Sequence, residues 1–250
     1  PGRGLSSCDT GWLDLWTWRL VETFNVGYGG VWYNGCNPDA SDTVAIIGGG
    51  PIGLCASMVC AESGATVIVI DPLEARRENA LRYGANLAVD PTAAPVEEQI
   101  KELTNGRGAD VVIECSGNDV GIASLFDIAG QSARVGVIGH SIGRKVPVEI
   151  GKTIWKTMRI AGVAGPERWF PRTIRFMSKI KDKYDFAALN THHLILKIFT
   201  LRLIWRQIIR ILPARLCLRI REWKTSKLKE RLRLESLFFY TNIVYTFSIL

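Results

Sequence analysis

The sequence predicts an α/β fold in which a doubly wound parallel sheet of six strands forms the central part of the chain. Short runs rich in Val and Ile alternate with helical patterns from residue 41 to residue 196. The runs are apolar throughout, which is typical of parallel strands covered by helices on both faces. Six such runs suit the doubly wound nucleotide-binding order, so we expect a Rossmann-type domain over 41–196.

The first half of this domain is predicted to contain three strands and two helices. Pro72 suits the first turn of the second helix, Glu74 favours its N-terminus, and Gly84 is a typical C-terminal stop. The predicted elements, in chain order, are the strand TVAII (43–47), a helix at 52–64, the strand TVIVID (66–71), a helix at 72–84 and the strand NLAVD (86–90).

The second half repeats this alternation. Apolar residues recur at helical spacing between short β-branched runs, which again indicates helices crossing between parallel strands. The predicted elements are a helix at 96–106, a strand at 109–117, a helix at 119–130, strands at 133–139 and 159–165, and a helix at 168–180.

The two flanks differ in composition from the centre. Residues 1–40 are rich in Gly and Trp without a period of 2 or 3.6, so we expect an irregular N-terminal flank. Residues 197–250 contain twelve Lys or Arg against three Glu, whereas residues 1–196 contain 19 basic and 21 acidic side chains. The basic character therefore belongs to the tail, and the overall net charge of +7 does not indicate a nucleic-acid partner for the whole chain.

Two interpretations of the tail remain open. Its apolar residues and its arginines fall on opposite helical faces from 201 to 212, as in amphipathic helices that lie on anionic membranes. The final run LFFYTNIVYTFSIL is too short to span a bilayer. Alternatively, both flanks are translated out of frame.

The N-terminus shows no secretory signal and no initiating Met, so the chain is expected to be a fragment. The six cysteines form no CxxC pair, which favours reduced thiols and a cytoplasmic protein.

A glycine-rich turn follows the first predicted strand. Gly48, Gly50 and Gly53 form G-x-G-x-x-G at a strand-to-helix junction. The first glycine permits a tight turn, the second lets a pyrophosphate approach the backbone, and the third lets helix and strand pack closely. The helix N-terminus then offers free N–H groups to phosphates. The alternative is a strand–turn–helix unit without a ligand.

An acidic residue ends the second predicted strand. Asp71 lies 18 residues after Gly53, where a carboxylate accepts hydrogen bonds from the adenosine ribose hydroxyls and repels a 2′-phosphate. This predicts NAD rather than NADP as the cofactor. Arg76 and Arg77 lie nearby and could weaken the preference.

Several motifs in this order resemble the cofactor domain of the medium-chain, zinc-containing alcohol dehydrogenases, in particular the polyol and threonine dehydrogenase branch. They are GGGPIG with ATVIVIDP, LRYGAN, GADVVIECSG, ARVGVIG and MRIAGVAG. The resemblance covers about residues 41–196, and neither flank shares it. It implies an oxidoreductase acting on CH–OH groups, with NAD(H), a small alcohol or polyol as substrate, and homo-oligomers as a possible assembly.

The resemblance also implies which residues hold the cofactor. Gly48, Gly50, Pro51, Ile52 and Gly53 would line the pyrophosphate. Asp71 and Arg76 would hold the adenosine ribose, and Cys115 and Ser116 would line the adenine side. Ile138, Gly139, Val163 and Ala164 would offer backbone groups to the nicotinamide end. Cys115 could instead be an ordinary buried thiol.

Catalysis in that family requires a second domain with a zinc ion held by Cys, His and an acidic residue, which polarises the alcohol oxygen. The sequence contains no Gly-His-Glu motif and no cluster of four closely spaced cysteines. We therefore predict no catalytic residues and no metal ligands in this chain, and expect it to be inactive alone. His140 could act as a proton relay, and His192 and His193 are expected to have a surface or packing role rather than to bind zinc. The alternative function is a non-enzymatic NAD-binding module with a membrane- or nucleic-acid-binding tail.

Overall fold

The computed structural model describes residue 13 and residues 15–32, 35–139, 142–164 and 169–189. The predictions for the basic tail and for His140, His192 and His193 lie outside these residues. Six parallel strands form one sheet in the order β3-β2-β1-β4-β5-β6. Their bounds are β1 Thr43–Ile47, β2 Thr66–Ile70, β3 Leu87–Val89, β4 Ala109–Glu114, β5 Ala129–Val137 and β6 Arg159–Gly162. The predicted doubly wound parallel fold is confirmed.

Eight helices connect or flank the strands in the described part of the chain. Their bounds are α1 Leu15–Arg19, α2 Val21–Trp32, α3 Pro51–Glu62, α4 Glu74–Arg82, α5 Val96–Leu103, α6 Asp119–Ile128, α7 Gly151–Trp155 and α8 Phe170–Ile180. A short 3₁₀ turn follows at Ala187–Leu189. No helix within the described ranges is both long and apolar enough to cross a membrane.

The central strands are buried on both faces, as their unbroken apolar sequences predict. On β1, Val44 and Ile46 belong to one hydrophobic cluster, with α2, α3 and α8, while Ala45 and Ile47 belong to the opposite one. β1 pairs with β2 on one side and β4 on the other. The order of the strands therefore reverses at β1, and the turn that leaves β1 lies at the point of reversal.

The N-terminal flank is where the sequence interpretation is wrong. The expected irregular segment contains α2, in which Phe24 and Val31 are fully buried. The Phe24 ring packs against Phe176 of α8 and against Phe186. A methyl group on Gly27 would lie 2.7 Å from the Cβ of Cys55 in α3. The glycines that obscure a helical period in the sequence thus allow α2 to approach α3 closely.

The boundaries of α6 and β5 also differ from the predicted ones. α6 ends at Ile128, and β5 begins directly at Ala129 rather than at Ala133. The pairing of β4 with β5 then shifts register, from Ala109 opposite Ala129 to Val111 opposite Arg134. Ser132 adopts a left-handed backbone (φ 59°) within the shift, and its N–H donates to the carbonyl of Lys156 at 2.7 Å. A bulge of this kind leaves no signal in an apolar pattern.

Replacing Phe24 with Ala tests whether α2 belongs to the folded unit. The substitution removes a fully buried ring and should lower the free energy of unfolding by about 3–5 kcal/mol. The matched control is Glu22→Gln on the exposed face of the same helix, which should change it by less than about 0.5 kcal/mol. Urea unfolding followed by circular dichroism measures both. Equal stability of the Phe24 variant and the wild-type chain would contradict the packing of α2.

Candidate cofactor site

The glycine turn leaves β1 in a conformation that requires glycine at its first position. Gly48 has φ +101°, in the left-handed region, and its N–H donates to the carbonyl of Ile70 at 2.8 Å. A methyl group there would also lie 2.9 Å from the backbone of Ser116. The turn therefore contacts both the end of β2 and the residues that follow β4.

The other two glycines of the motif have different surroundings. A methyl group on Gly53 would lie 1.9 Å from the carbonyl oxygen of Gly48, so α3 packs directly on the turn. A methyl group on Gly50 would meet nothing within 4 Å. No side chain caps α3 at Gly50, and Pro51 occupies its first turn. The open space at Gly50 thus faces the uncapped end of a twelve-residue helix, where an anionic group is favoured.

Asp71 follows β2 and is attached to the same turn. One oxygen, Oδ2, accepts the N–H of Gly49 at 2.8 Å, and the other accepts the N–H of Leu73 at 2.9 Å. The residue is only 2% exposed. Because a carboxylate offers about four acceptor positions, two backbone bonds leave capacity for ribose hydroxyls. The carboxylate is thus held in position before any ligand arrives.

The two arginines near Asp71 are arranged differently. The Nη1 of Arg76 lies 3.5 Å from the Asp71 carboxylate, and its side chain is about one-third exposed. Arg77 instead donates to the carbonyls of Asp71 and Pro72, both at 2.9 Å, and pairs with Asp90 at 3.1 Å. Arg76 is therefore the cation available to a ligand at this position, whereas Arg77 stabilises the chain after β2.

A buried acid that the sequence analysis missed lies at the end of β4. Glu114 is fully buried, and its Oε1 accepts three hydrogen bonds: from the N–H of Ser116 at 2.8 Å, from the Ser116 hydroxyl at 2.5 Å and from the N–H of Gly117 at 3.0 Å. The sequence contained a signal for it: an acidic residue stands at the end of an otherwise mostly apolar strand, which is the pattern that identified Asp71. Glu114 thus shapes the turn in which Cys115 and Ser116 lie.

The remaining predicted residues lie along the ends of β4, β5 and β6. The N–H groups of Ile138 and Gly139 both donate to the carbonyl of Glu114, at 2.9 and 3.2 Å, and that of Val163 donates to Val137 at 2.9 Å. The backbone groups that these residues retain for a ligand are therefore carbonyls. Ala164, which follows Val163, is exposed.

The thiol of Cys115 lies behind the glycine turn, with its Cβ 3.6 Å from the position of a methyl group on Gly53. Burial, reinforced by the nearby Glu114 carboxylate, raises the pKa of the Cys115 thiol well above its usual range. The thiol is therefore protonated at neutral pH, as the alternative of an ordinary buried cysteine expects. Cys115 also lies beside the glycine turn, so its contact with a cofactor remains a prediction.

The described residues do not form a zinc site. No group of three His, Cys, Asp or Glu side chains within them could hold a metal ion. Burial raises the pKa of Cys36 to about 11 and that of Cys55 still further, which disfavours the thiolates that bind zinc. The flanking residues in which further ligands could lie are outside the described part.

Comparisons with known proteins identify the family to which this fold belongs. The model of a family described as zinc-binding dehydrogenase matches residues 51–179. An L-threonine 3-dehydrogenase from Caldanaerobacter subterraneus subsp. tengcongensis is 32% identical over 155 residues, which are 60% of this chain and 44% of that protein. The chain therefore spans less than half the length of this relative.

Solved structures of dehydrogenases also resemble this chain over part of their length. The 2R,3R-butanediol dehydrogenase from Bacillus subtilis superposes with a TM-score of 0.59 at 25% identity, covering 66% of this chain and 47% of that one. A zinc-binding dehydrogenase structure from Sinorhizobium meliloti, bound to NADP, gives a TM-score of 0.60 at 30% identity, covering 64% and 47%. The similarity in each case involves about half of the larger protein.

Two glycine variants test the geometry of the turn. Gly53→Ala forces a methyl group against the Gly48 carbonyl and should lower the free energy of unfolding by about 3 kcal/mol. Gly50→Ala enters open space with a backbone that alanine adopts (φ −73°), so it should cost about 1 kcal/mol or less. Thermal unfolding of both variants beside the wild type provides the measurement. The reverse order of stability would show that α3 does not pack on the turn as described.

Proposed function

Because the chain belongs to the zinc-binding dehydrogenase family, we propose that its described part is the NAD(H)-binding domain of an enzyme that oxidises an alcohol. The observation that carries the proposal is the buried Asp71 carboxylate bonded to the glycine turn at the uncapped end of α3. The turn would take the diphosphate at Gly50, Pro51, Ile52 and Gly53, and Asp71 would take the adenosine ribose. A bound nicotinamide would supply the hydride-accepting carbon.

The preference for NAD over NADP rests on charge. A 2′-phosphate would be placed beside a carboxylate that is 2% exposed, and like charges in a poorly solvated site repel strongly. The guanidinium of Arg76, at 3.5 Å from that carboxylate, provides partial compensation. A relative with this fold has been solved with NADP bound, so the fold alone does not select the cofactor. The fixed position of Asp71 supports NAD in this chain.

Calorimetric titration with NADH and NADPH tests the preference. The unmutated chain should bind NADH more tightly. Asp71→Asn should weaken NADH binding by about 10- to 100-fold, because hydrogen bonds to a charged acceptor are lost, and should affect NADPH less. Equal affinity of the unmutated chain for the two cofactors would contradict the proposal.

The matched control for this experiment is Asp90→Asn. Asp90 ends the neighbouring strand β3 and pairs with Arg77, but it makes no hydrogen bond to the glycine turn. The control should leave the ratio of NADH to NADPH affinity unchanged. A melting curve for each variant separates loss of binding from loss of folding.

The proposed substrate is a small alcohol or polyol. The relatives named above are dehydrogenases of threonine and of butanediol, both of which carry a secondary hydroxyl group. In the whole enzyme, a zinc ion outside the described residues would polarise the alcohol oxygen. The described residues would bind and orient the cofactor, and no step of the metal chemistry is assigned to them.

If the described residues bind the cofactor and the zinc ion lies elsewhere in the whole enzyme, the behaviour of the purified chain can be predicted. Supplied with zinc, NAD and simple alcohols or polyols, it should form no alcohol-dependent NADH, while still binding NADH by calorimetry. NADH absorbance measures turnover, and elemental analysis measures bound zinc, which should be less than one ion per chain. Turnover that a chelator abolishes, together with one zinc ion per chain, would contradict the proposed division.

A further inference from the structure

The buried carboxylate of Glu114 lies among three neighbouring turns at the carboxyl edge of the sheet. Its Oε1 is fully engaged by Ser116 and Gly117. Its Oε2 is buried and has no hydrogen-bond partner among the described residues. A methyl group on Gly139 would lie 2.8 Å from this oxygen. A fully buried acid with one unused oxygen is costly unless the geometry that it imposes is needed.

The contacts around Glu114 connect the ends of β1, β4 and β5. Ser116, held by the Glu114 side chain, lies directly against Gly48 at the end of β1. The backbone carbonyl of Glu114 accepts the N–H groups of Ile138 and Gly139 at the end of β5. Gly117 and Gly139 approach so closely that a methyl group on Gly117 would lie 2.3 Å from the carbonyl oxygen of Gly139. The Glu114 side chain thus holds the turn after β4 against β1 through Ser116, and its Oε2 faces Gly139, while its backbone carbonyl connects the same turn to the end of β5.

This spacing matters for a ligand that crosses the sheet. In a doubly wound fold, each half binds one nucleotide of a dinucleotide, and the ligand spans the reversal of strand order. That reversal lies between β1 and β4. Asp71 and the glycine turn belong to the first half, whereas the turn after β4 and the end of β5 belong to the second.

We propose that Glu114 is a positioning residue for the dinucleotide, acting through Ser116, Gly117 and Gly139 to hold the two halves of the cofactor site at the spacing that NADH requires. The residue does not touch the cofactor, because its carboxylate is buried behind these turns. The inference rests on the proposed function, since it assumes that NADH binds across β1 and β4. Loss of the Glu114 side chain should therefore weaken a ligand that spans both halves more than a ligand confined to the adenine side, which Ser116 alone is expected to border.

Calorimetric titration with NADH and AMP separates these cases, because AMP carries the adenosine half alone. Glu114→Ala leaves three donors without their acceptor and should weaken NADH by about 10-fold or more. AMP should be weakened less, because it is expected to meet Ser116 but not the turn at the end of β5, so the ratio of NADH to AMP affinity should fall. Glu114→Gln keeps an acceptor oxygen for Ser116 and Gly117, so it should restore the ratio of the two affinities. Glu114→Asp cannot reach both N–H groups and should fall between these variants, which provides a test if the Ala variant does not fold.

The control is a buried acid at the opposite edge of the sheet. Asp42 is 8% exposed, accepts the N–H of Asp39 at 2.8 Å and pairs with Arg134. Asp42→Ala should lower stability without changing the ratio of NADH to AMP affinity. The inference is overturned if the folded Glu114 variants keep the wild-type ratio, if the Gln variant behaves like the Ala variant, or if Asp42→Ala shifts the ratio equally. A wild-type chain that binds neither ligand overturns the proposed function instead.

Discussion

The close contact between Gly53 and the carbonyl of Gly48 is the constraint on which the rest of the site depends. Because a methyl group at residue 53 would lie 1.9 Å from that oxygen, α3 begins as near to β1 as two backbones allow. This proximity brings the uncapped end of α3 to the reversal of strand order. It also leaves the N–H of Gly49 pointing at Asp71, which it meets at 2.8 Å. The absence of a Cβ at residue 53 thus sets the position of the turn, of the uncapped helix end and of Asp71, on which the proposed cofactor site depends.

The two strand–turn–helix units at the centre of the fold differ in how the free N–H groups of the turn and of the helix N-terminus find acceptors. After β1, the turn consists of glycines and the helix end remains uncapped, so an external anion can occupy it. After β4, the turn is filled by the chain itself: Glu114 binds its N–H groups, and the Asn118 side chain caps α6 by accepting the N–H of Val120 at 2.8 Å. If the turns bind a dinucleotide as proposed, the free N–H groups after β1 favour the diphosphate there, because the chain supplies its own acceptors to the N–H groups after β4.

The fold and the first half of the site were predictable because their signals are local. A buried parallel strand needs an unbroken apolar run, and a tight turn with φ near +100° needs glycine at residue 48. The helix α2 was not predictable, because Gly27 and Gly30 are explained only by the distant residues that they approach: Gly27 lies against α3, and Gly30 lies against the side chain of Ile138, which follows β5. The role of Glu114 was missed for the same reason: its partners are defined by the conformation of the turn. The bulge in β5 depends on Lys156, 24 residues beyond Ser132.

The glycine content of α2 has a consequence for how the chain folds as it is synthesised. Each interior glycine disfavours an isolated helix by about 1 kcal/mol relative to alanine, and short helices are marginal even without this cost. Some of the contacts that stabilise α2 come from far along the chain: Asn25 accepts the Thr173 hydroxyl at 2.9 Å, across 148 residues. The segment therefore leaves the ribosome long before α8 exists to cover it. The Phe24 ring is therefore not fully covered until Phe176 and Phe186 have been made, so the last helix of the described residues completes the part of the core that the first ones begin.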